Sequence, residues 1–198
     1  MIGTVARVDQ ERFYRENIRN YGITPQGVAW DSAQTQRRRF AVLAAQLGDL
    51  RDSTLVDAGC GFGDPYLFLK ERGNLPRRYI GIDLVLEMVE AARQRTGCRI
   101  LQRDILRQSL PTADWYVASG SMNLLSRTET TIFIRRCYEH ARKGFVFNLL
   151  EGREREGEFS YWQPKEVREL LRPLGSRVEI VNGYLEGDMT VLLHDRHK

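Results

Sequence analysis

The chain has 198 residues, 42% of them hydrophobic, which suits one compact domain with a sizeable core and excludes a disordered chain. Its net charge of +4 comes with 30 basic residues, of which only Lys70, Lys143, Lys165 and Lys198 are lysines. That mild, scattered balance does not establish a nucleic-acid partner. Arg37-Arg38-Arg39 is the one arginine run, and its place at the start of a helical pattern reads as a solvated helix face. Cys60, Cys98 and Cys137 have neither a disulfide-framework count nor metal-ligand spacing, so no metal is expected and a reducing, cytoplasmic setting suits them. Met1 to Gln10 lacks an apolar signal segment, and no run approaches the ~18 apolar residues of a membrane span.

In chain order, residues 10–20 read as a helix and Gly22 to Gly27, with Pro25, as a turn. Phe40, Leu43, Ala44 and Leu47 give Gln34 to Leu47 a helical apolar stripe. Strands and helices then alternate. Thr54 to Ala58 is a buried strand, followed by the glycine-rich segment Gly59 to Gly63. Asp64-Pro65 reads as a helix cap with a first-turn proline, and Gly73 closes that helix. Tyr79 to Asp83 is the second strand, and Val85, Met88, Val89 and Ala92 mark the next helix. Arg99 to Gln102 and Trp115 to Ala118 are the third and fourth strands. Ile134, Cys137, Tyr138 and Ala141 mark a helix ending near Gly144, and Phe145 to Leu150 is the fifth strand. Pro164 opens a helix with Val167, Leu170, Leu171 and Leu174. Arg177 to Val181 and Met189 to His194 are joined by too short a link for a helix, so they pair antiparallel. This order predicts an α/β, three-layer sandwich: a seven-stranded, mostly parallel sheet with an antiparallel C-terminal hairpin.

The chemistry concentrates in Leu55-Val56-Asp57-Ala58-Gly59-Cys60-Gly61-Phe62-Gly63. A strand, a glycine loop and a helix start bring side-chain-free backbone and a positive helix end to a ligand. A dinucleotide loop would place its third glycine at 64, which is Asp64, and no phosphate-binding lysine follows. The acid before G-x-G-x-G instead resembles motif I of the class I, S-adenosylmethionine (SAM)-dependent methyltransferases. Asp83, ending the second strand 20 residues after Gly63, is placed to accept hydrogen bonds from ribose hydroxyls.

The resemblance covers residues 51–150 by motif and implies a Rossmann-like fold with SAM as cofactor. It implies that residues 1–50 form a helical cap on a cofactor domain of residues 51–198. It also implies that Asp104 meets the adenine amino group, with Ile105, Leu84 and Met88 around the base. Asp57, Gly59, Cys60, Gly61, Gly63 and Ser119 complete the expected cofactor set. A plainer reading stands beside each residue: Asp57 capping backbone amides, Asp83 ending a strand, Leu84 and Met88 in the core. The stretch from Tyr21 to Trp30 is similar to one in small bacterial methyltransferases and identifies no acceptor.

Methyl transfer to an activated sulfonium needs alignment more than side-chain chemistry, so no catalytic residue is assigned. Tyr14, Tyr21, Trp30, Tyr161 and Trp162 are candidates for cation–π contact, with core packing as their plainer role. Asn123, after the fourth strand, is a candidate to orient an acceptor. No N-P-P-Y-type or Pro-Cys motif is present, and none of the three histidines is taken as a base. The expectation is O- or N-methylation of a small molecule by a cytoplasmic monomer or homodimer, without a nucleic-acid or membrane partner. RNA or protein methylation, and SAM binding without transfer, remain open.

Overall fold

The computed structural model describes residues 9–28, 32–153 and 157–195. Before the sheet come α1 (Gln10–Tyr21), a 3-10 turn (Pro25–Val28) and α2 (Ala33–Leu47). Then follow β1 (Thr54–Ala58), α3 (Asp64–Glu71), β2 (Arg78–Asp83), α4 (Leu86–Thr96), β3 (Arg99–Gln102) and β4 (Ala113–Ala118). The chain continues with α5 (Arg127–Glu139), β5 (Ala141–Glu151), β6 (Tyr161–Trp162), α6 (Pro164–Leu171), β7 (Val178–Asn182) and β8 (Asp188–His194). Strand order is β3-β2-β1-β4-β5-β8-β7, with β6 beside the end of β5. The β1–β5 pairs are parallel; β8 runs antiparallel to both β5 and β7. This is the α/β sandwich expected, with one strand more than the seven read from sequence, because two-residue β6 is too short to show a period.

Alternate strand residues feed two apolar layers. Leu55, Val117, Val146 and Leu192 face Phe40, Leu43 and Leu47 of α2, with Phe68 of α3 and Val89 of α4. Val56, Ile82, Phe145, Phe147 and Val191 face Phe133 and Ile134 of α5 with Val167 and Leu171 of α6. Burying each such side chain contributes about 1.5–3 kcal/mol. A third cluster joins α1 and the 3-10 turn to α4: Tyr14, Ile18 and Val28 pack on Phe62, Val85, Met88 and Ala91.

Two boundaries differ from expectation for local reasons. Ala141 continues the helical spacing of Ile134, Cys137 and Tyr138, yet α5 ends at Glu139 and Ala141 opens β5, because Ala141 pairs with Ala113 of β4. Asp64 does not cap α3. The cap position is Gly63, at φ 79°, and the Asp64 carboxylate instead receives Arg95 Nη2 at 2.7 Å and Gln36 Nε2 at 3.3 Å.

Candidate functional site

The parallel strands β1–β5 aim their C-terminal ends at one edge of the sheet, where loops must leave a crevice as the order reverses between β1 and β4. A cleft of about 940 Å³ occupies that edge. Of the expected cofactor residues it is lined by Gly59, Gly61, Asp83, Leu84, Met88, Asp104, Ile105 and Ser119; of the acceptor candidates, by Tyr14 and Asn123.

Asp83 organises the glycine loop. Its Oδ2 accepts the Gly61 N–H at 2.9 Å and its Oδ1 the Val85 N–H at 3.0 Å. Burial pushes its pKa up, while these backbone donors pull the other way. Each carboxylate oxygen has a second lone pair, so both can still accept from a ligand hydroxyl. Three of the loop's other amides are committed inside the protein: Gly59 and Cys60 both donate to Ile82 O, at 2.8 and 3.0 Å, and Gly63 to Cys60 O at 2.9 Å. At Gly59, φ is 80° and a Cβ would stand 2.2 Å from Ser121 Cβ. Gly63 has a different reason to be glycine: its Cβ would stand 2.6 Å from Thr96 Cγ2 of α4. It meets helix packing and lies off the cleft lining, as do Asp57 and Cys60.

Asp57 is fully buried beneath the loop, accepting the Tyr79 hydroxyl at 2.5 Å, and its Oδ1 has no hydrogen-bond partner among the described residues. Burial raises its pKa to about 7, against the Tyr79 hydrogen bond, with Asp83 and Asp64 adding to the rise. Asp104 reaches the cleft with part of its capacity used: Oδ1 accepts the Leu106 N–H at 2.8 Å and Oδ2 lies 3.5 Å from Arg107.

On the facing wall, Tyr14 comes down from α1, which is fastened by Arg15 to Glu87 of α4 at 3.1 Å. Burial, reinforced by Asp83, pushes the Tyr14 hydroxyl pKa up, so it stays a donor. Phe159 closes the wall, edge-on to Phe13 of α1 at 6.4 Å. Ser160 ties this segment to the post-β4 loop, donating N–H to Asn123 O at 2.7 Å and hydroxyl to Leu125 O at 2.6 Å.

The other aromatic candidates lie elsewhere. Tyr21 is 54% exposed and off the cleft. Trp162 is buried under the Arg127 guanidinium, 4.3 Å from its ring, and Tyr161 pairs with Leu150 in the sheet. Trp30 is outside the described residues. Neither His140, whose Nδ1 meets Arg136 O, nor His194, which meets Glu179, lines the cleft.

The arginine run divides. Arg37 pairs with Glu71 at 2.7 Å, both more than half exposed, whereas Arg39 points inward, its side chain 15% exposed, to an ion pair with Asp188. Two residues along a helix turn a side chain about 200°, so Arg39 falls beside Phe40 on the sheet-facing side. Gln10, Arg103 and Phe159 line the cleft without having been singled out in the sequence, and Arg39 lines it although its run reads there as a solvated face.

Two observations bear on whether an adenosyl-sized group fits. Gly59, lacking a Cβ that would stand 2.2 Å from Ser121 Cβ, lets the glycine loop close on the post-β4 loop at the cleft edge, and Ser119, on the cleft wall, holds a buried Oγ with no hydrogen-bond partner among the described residues. The geometry defines a Rossmann-like protein with a cleft at the strand ends.

Comparison with known proteins adds likenesses of family and fold. Residues 55–144 match the family model described as a methyltransferase domain. Carboxy-S-adenosyl-L-methionine synthase of Pectobacterium atrosepticum is 26% identical over 143 residues, 68% of this chain and 55% of the relative. The chain thus spans about half the length of the curated relative it matches. Magnesium protoporphyrin IX methyltransferase of Synechocystis, solved with bound SAM, is similar in fold at TM-score 0.72 and 15% identity, covering 97% of this chain and 100% of that one. A DhpI–SAM–HEP complex is similar at TM-score 0.73 and 14% identity, again over 97% and 100%. The family model covers fewer than half of the chain's residues, and the solved structures, at 14–15% identity, establish a shared fold.

Proposed function

We propose that the chain moves the SAM methyl group to an oxygen or nitrogen of a small-molecule acceptor, in the cytoplasm. The observation that carries the acceptor size is the wall over the strand ends: Tyr14 of α1 and Phe159 both line the cleft, and Phe159 stands edge-on to Phe13 at 6.4 Å. A cleft walled on that side suits a cofactor with a compact partner. A polymer substrate fits an open groove better. The three free cysteines suit a reducing compartment, and no helix of the described residues is long and apolar enough to cross a membrane.

In this reading Asp83 holds the ribose hydroxyls, and Asp104, Ile105, Leu84 and Met88 surround the adenine. Gly59 and Gly61 bring the loop backbone to the adenosyl group, with Asp57 shaping their loop from below. Bound SAM supplies a methyl already activated by positive sulfur, so the chain's task is alignment in a dry site. Tyr14 and Phe159 exclude water. The Tyr14 hydroxyl and the Asn123 amide orient the acceptor, and the tyrosine ring faces a cationic centre favourably.

A second reading comes from the curated relative, whose name makes SAM the compound that is altered. One assay separates them: incubation with methyl-labelled SAM and cell extract divided into small-molecule, RNA and protein fractions. Label in the small-molecule fraction with equimolar S-adenosylhomocysteine supports methyl transfer to a small acceptor. Label in RNA or protein contradicts it, and a heavier SAM without S-adenosylhomocysteine establishes the second reading.

A further inference from the structure

The cleft contains a donor that the cofactor reading leaves unused. Gln10 opens α1 and lines the cleft, and its Nε2 is buried with no hydrogen-bond partner among the described residues. A buried amide N–H is costly to leave unpaired, and a ligand oxygen in the cleft completes it. Gln10 and Tyr14 lie four residues apart on α1, so they share the helix face that meets the cleft. Rings flank that face: Phe13 stands edge-on to Tyr14 at 5.3 Å and to Phe159 at 6.4 Å.

The proton side of the chemistry narrows the acceptor. Among the described residues that line the cleft, the titratable ones are Tyr14, Arg39, Asp83, Arg103 and Asp104. Burial and the Asp83 charge push the Tyr14 pKa up, so its hydroxyl gives a hydrogen bond and takes no proton. The two guanidiniums have no site for another proton. Asp83 and Asp104 already accept backbone N–H groups, and in the SAM reading they face ribose and adenine rather than the methyl group. An alcohol or an ammonium acceptor has a proton to shed. A carboxylate has its lone pair ready at neutral pH, and its charge is drawn to the cofactor's sulfonium in a dry site.

We propose that Gln10 is a specificity-determining residue that binds the carboxylate of a small apolar acid, and that the product is the methyl ester of that acid. The inference rests on the proposed function, methyl transfer from SAM to a small acceptor, and narrows it to one class of oxygen. One carboxylate oxygen accepts a hydrogen bond from Gln10 Nε2 and the other attacks the methyl group. The new O–C bond forms as the C–S bond breaks, and the C–S electron pair goes to sulfur. The anionic acid and the cationic sulfonium become a neutral ester and a neutral thioether, and no proton moves. The apolar body of the acid rests against the Phe159 ring on the cleft wall.

The test incubates the full chain with methyl-labelled SAM and the small-molecule fraction of a cell extract, then treats the labelled products with mild alkali. A methyl ester hydrolyses and releases its label as volatile methanol, whereas methyl ethers and N-methyl groups keep theirs. Release of most of the label is the expected result, and alkali-stable label overturns the carboxylate assignment. Gln10→Leu should slow label transfer about tenfold at subsaturating extract. Gln10→Glu, which sets a like charge against the acceptor, should slow it about a hundredfold. Both variants should bind S-adenosylhomocysteine as wild type does in calorimetric titration, which also shows that they have folded. Undiminished transfer by Gln10→Glu overturns the role of Gln10, and so does a parallel loss of S-adenosylhomocysteine affinity, which would make the residue part of the cofactor site or the scaffold. If wild type binds S-adenosylhomocysteine but labels no small molecule, the small-acceptor reading fails and takes this inference with it. Wild type that does not bind S-adenosylhomocysteine refutes the SAM reading instead.

Discussion

Replacing Asp83 by asparagine separates its two tasks. Both carboxylate oxygens accept backbone N–H groups, from Gly61 at 2.9 Å and Val85 at 3.0 Å, and the residue is 7% exposed. An amide keeps one acceptor and turns an NH2 towards the other donor, leaving a buried N–H unpaired. That costs about 1–3 kcal/mol of stability. The ribose loses a charge-assisted hydrogen bond, worth about 1.5–3 kcal/mol, so S-adenosylhomocysteine should bind roughly 10- to 150-fold more weakly. Calorimetric titration reads the second effect and urea denaturation the first. A 2′,3′-dideoxy analogue isolates the ribose contact: wild type should discriminate strongly against it, and Asp83→Asn should lose most of that discrimination. A variant that unfolds earlier yet binds S-adenosylhomocysteine as tightly as wild type would show Asp83 to be a loop strut only.

Three further outcomes follow from the same geometry. Gly59→Ala meets both a left-handed backbone and Ser121, so it should weaken S-adenosylhomocysteine binding by more than tenfold in the same titration. Gly63→Ala should lower the urea midpoint without changing that affinity, and Thr96→Ser, which removes the obstructing Cγ2, should restore part of the loss. Asp57 has a folded pKa of about 7 against an ordinary 3.8, so the native state keeps a proton that the unfolded chain has released across this window. Its contribution to stability is therefore present below that window and lost as pH rises through it, by up to about 4 kcal/mol. Urea midpoints between pH 4 and 8 should show Asp57→Asn with a flatter dependence than wild type; parallel curves would refute the assignment.

The fold was legible because its signals are local. Apolar runs such as Leu55-Val56 and Tyr79 to Ile82 mark buried parallel strands, and the short link before Met189 forces an antiparallel return. Much of the cleft was legible for a related reason: Gly59, Asp83, Asp104 and Ser119 all follow strand ends, which parallel pairing brings to one edge. Long-range pairing hid the rest. Nothing near Arg39 in sequence distinguishes it from Arg37, since its partner Asp188 arrives only when β8 joins β5. Phe159 gains its position from a hydrogen-bonded tie to the post-β4 loop. Gly63 belongs to the motif by spacing, but its need for a missing side chain comes from Thr96 on the neighbouring helix. Spacing alone does not separate ligand clearance from helix packing.

The most direct measurement is calorimetric titration of the full chain with S-adenosylhomocysteine, alongside NAD and FAD. Saturable one-to-one binding of S-adenosylhomocysteine with no heat from either dinucleotide is the predicted result. Tight dinucleotide binding with none for S-adenosylhomocysteine would contradict the assignment of the cleft.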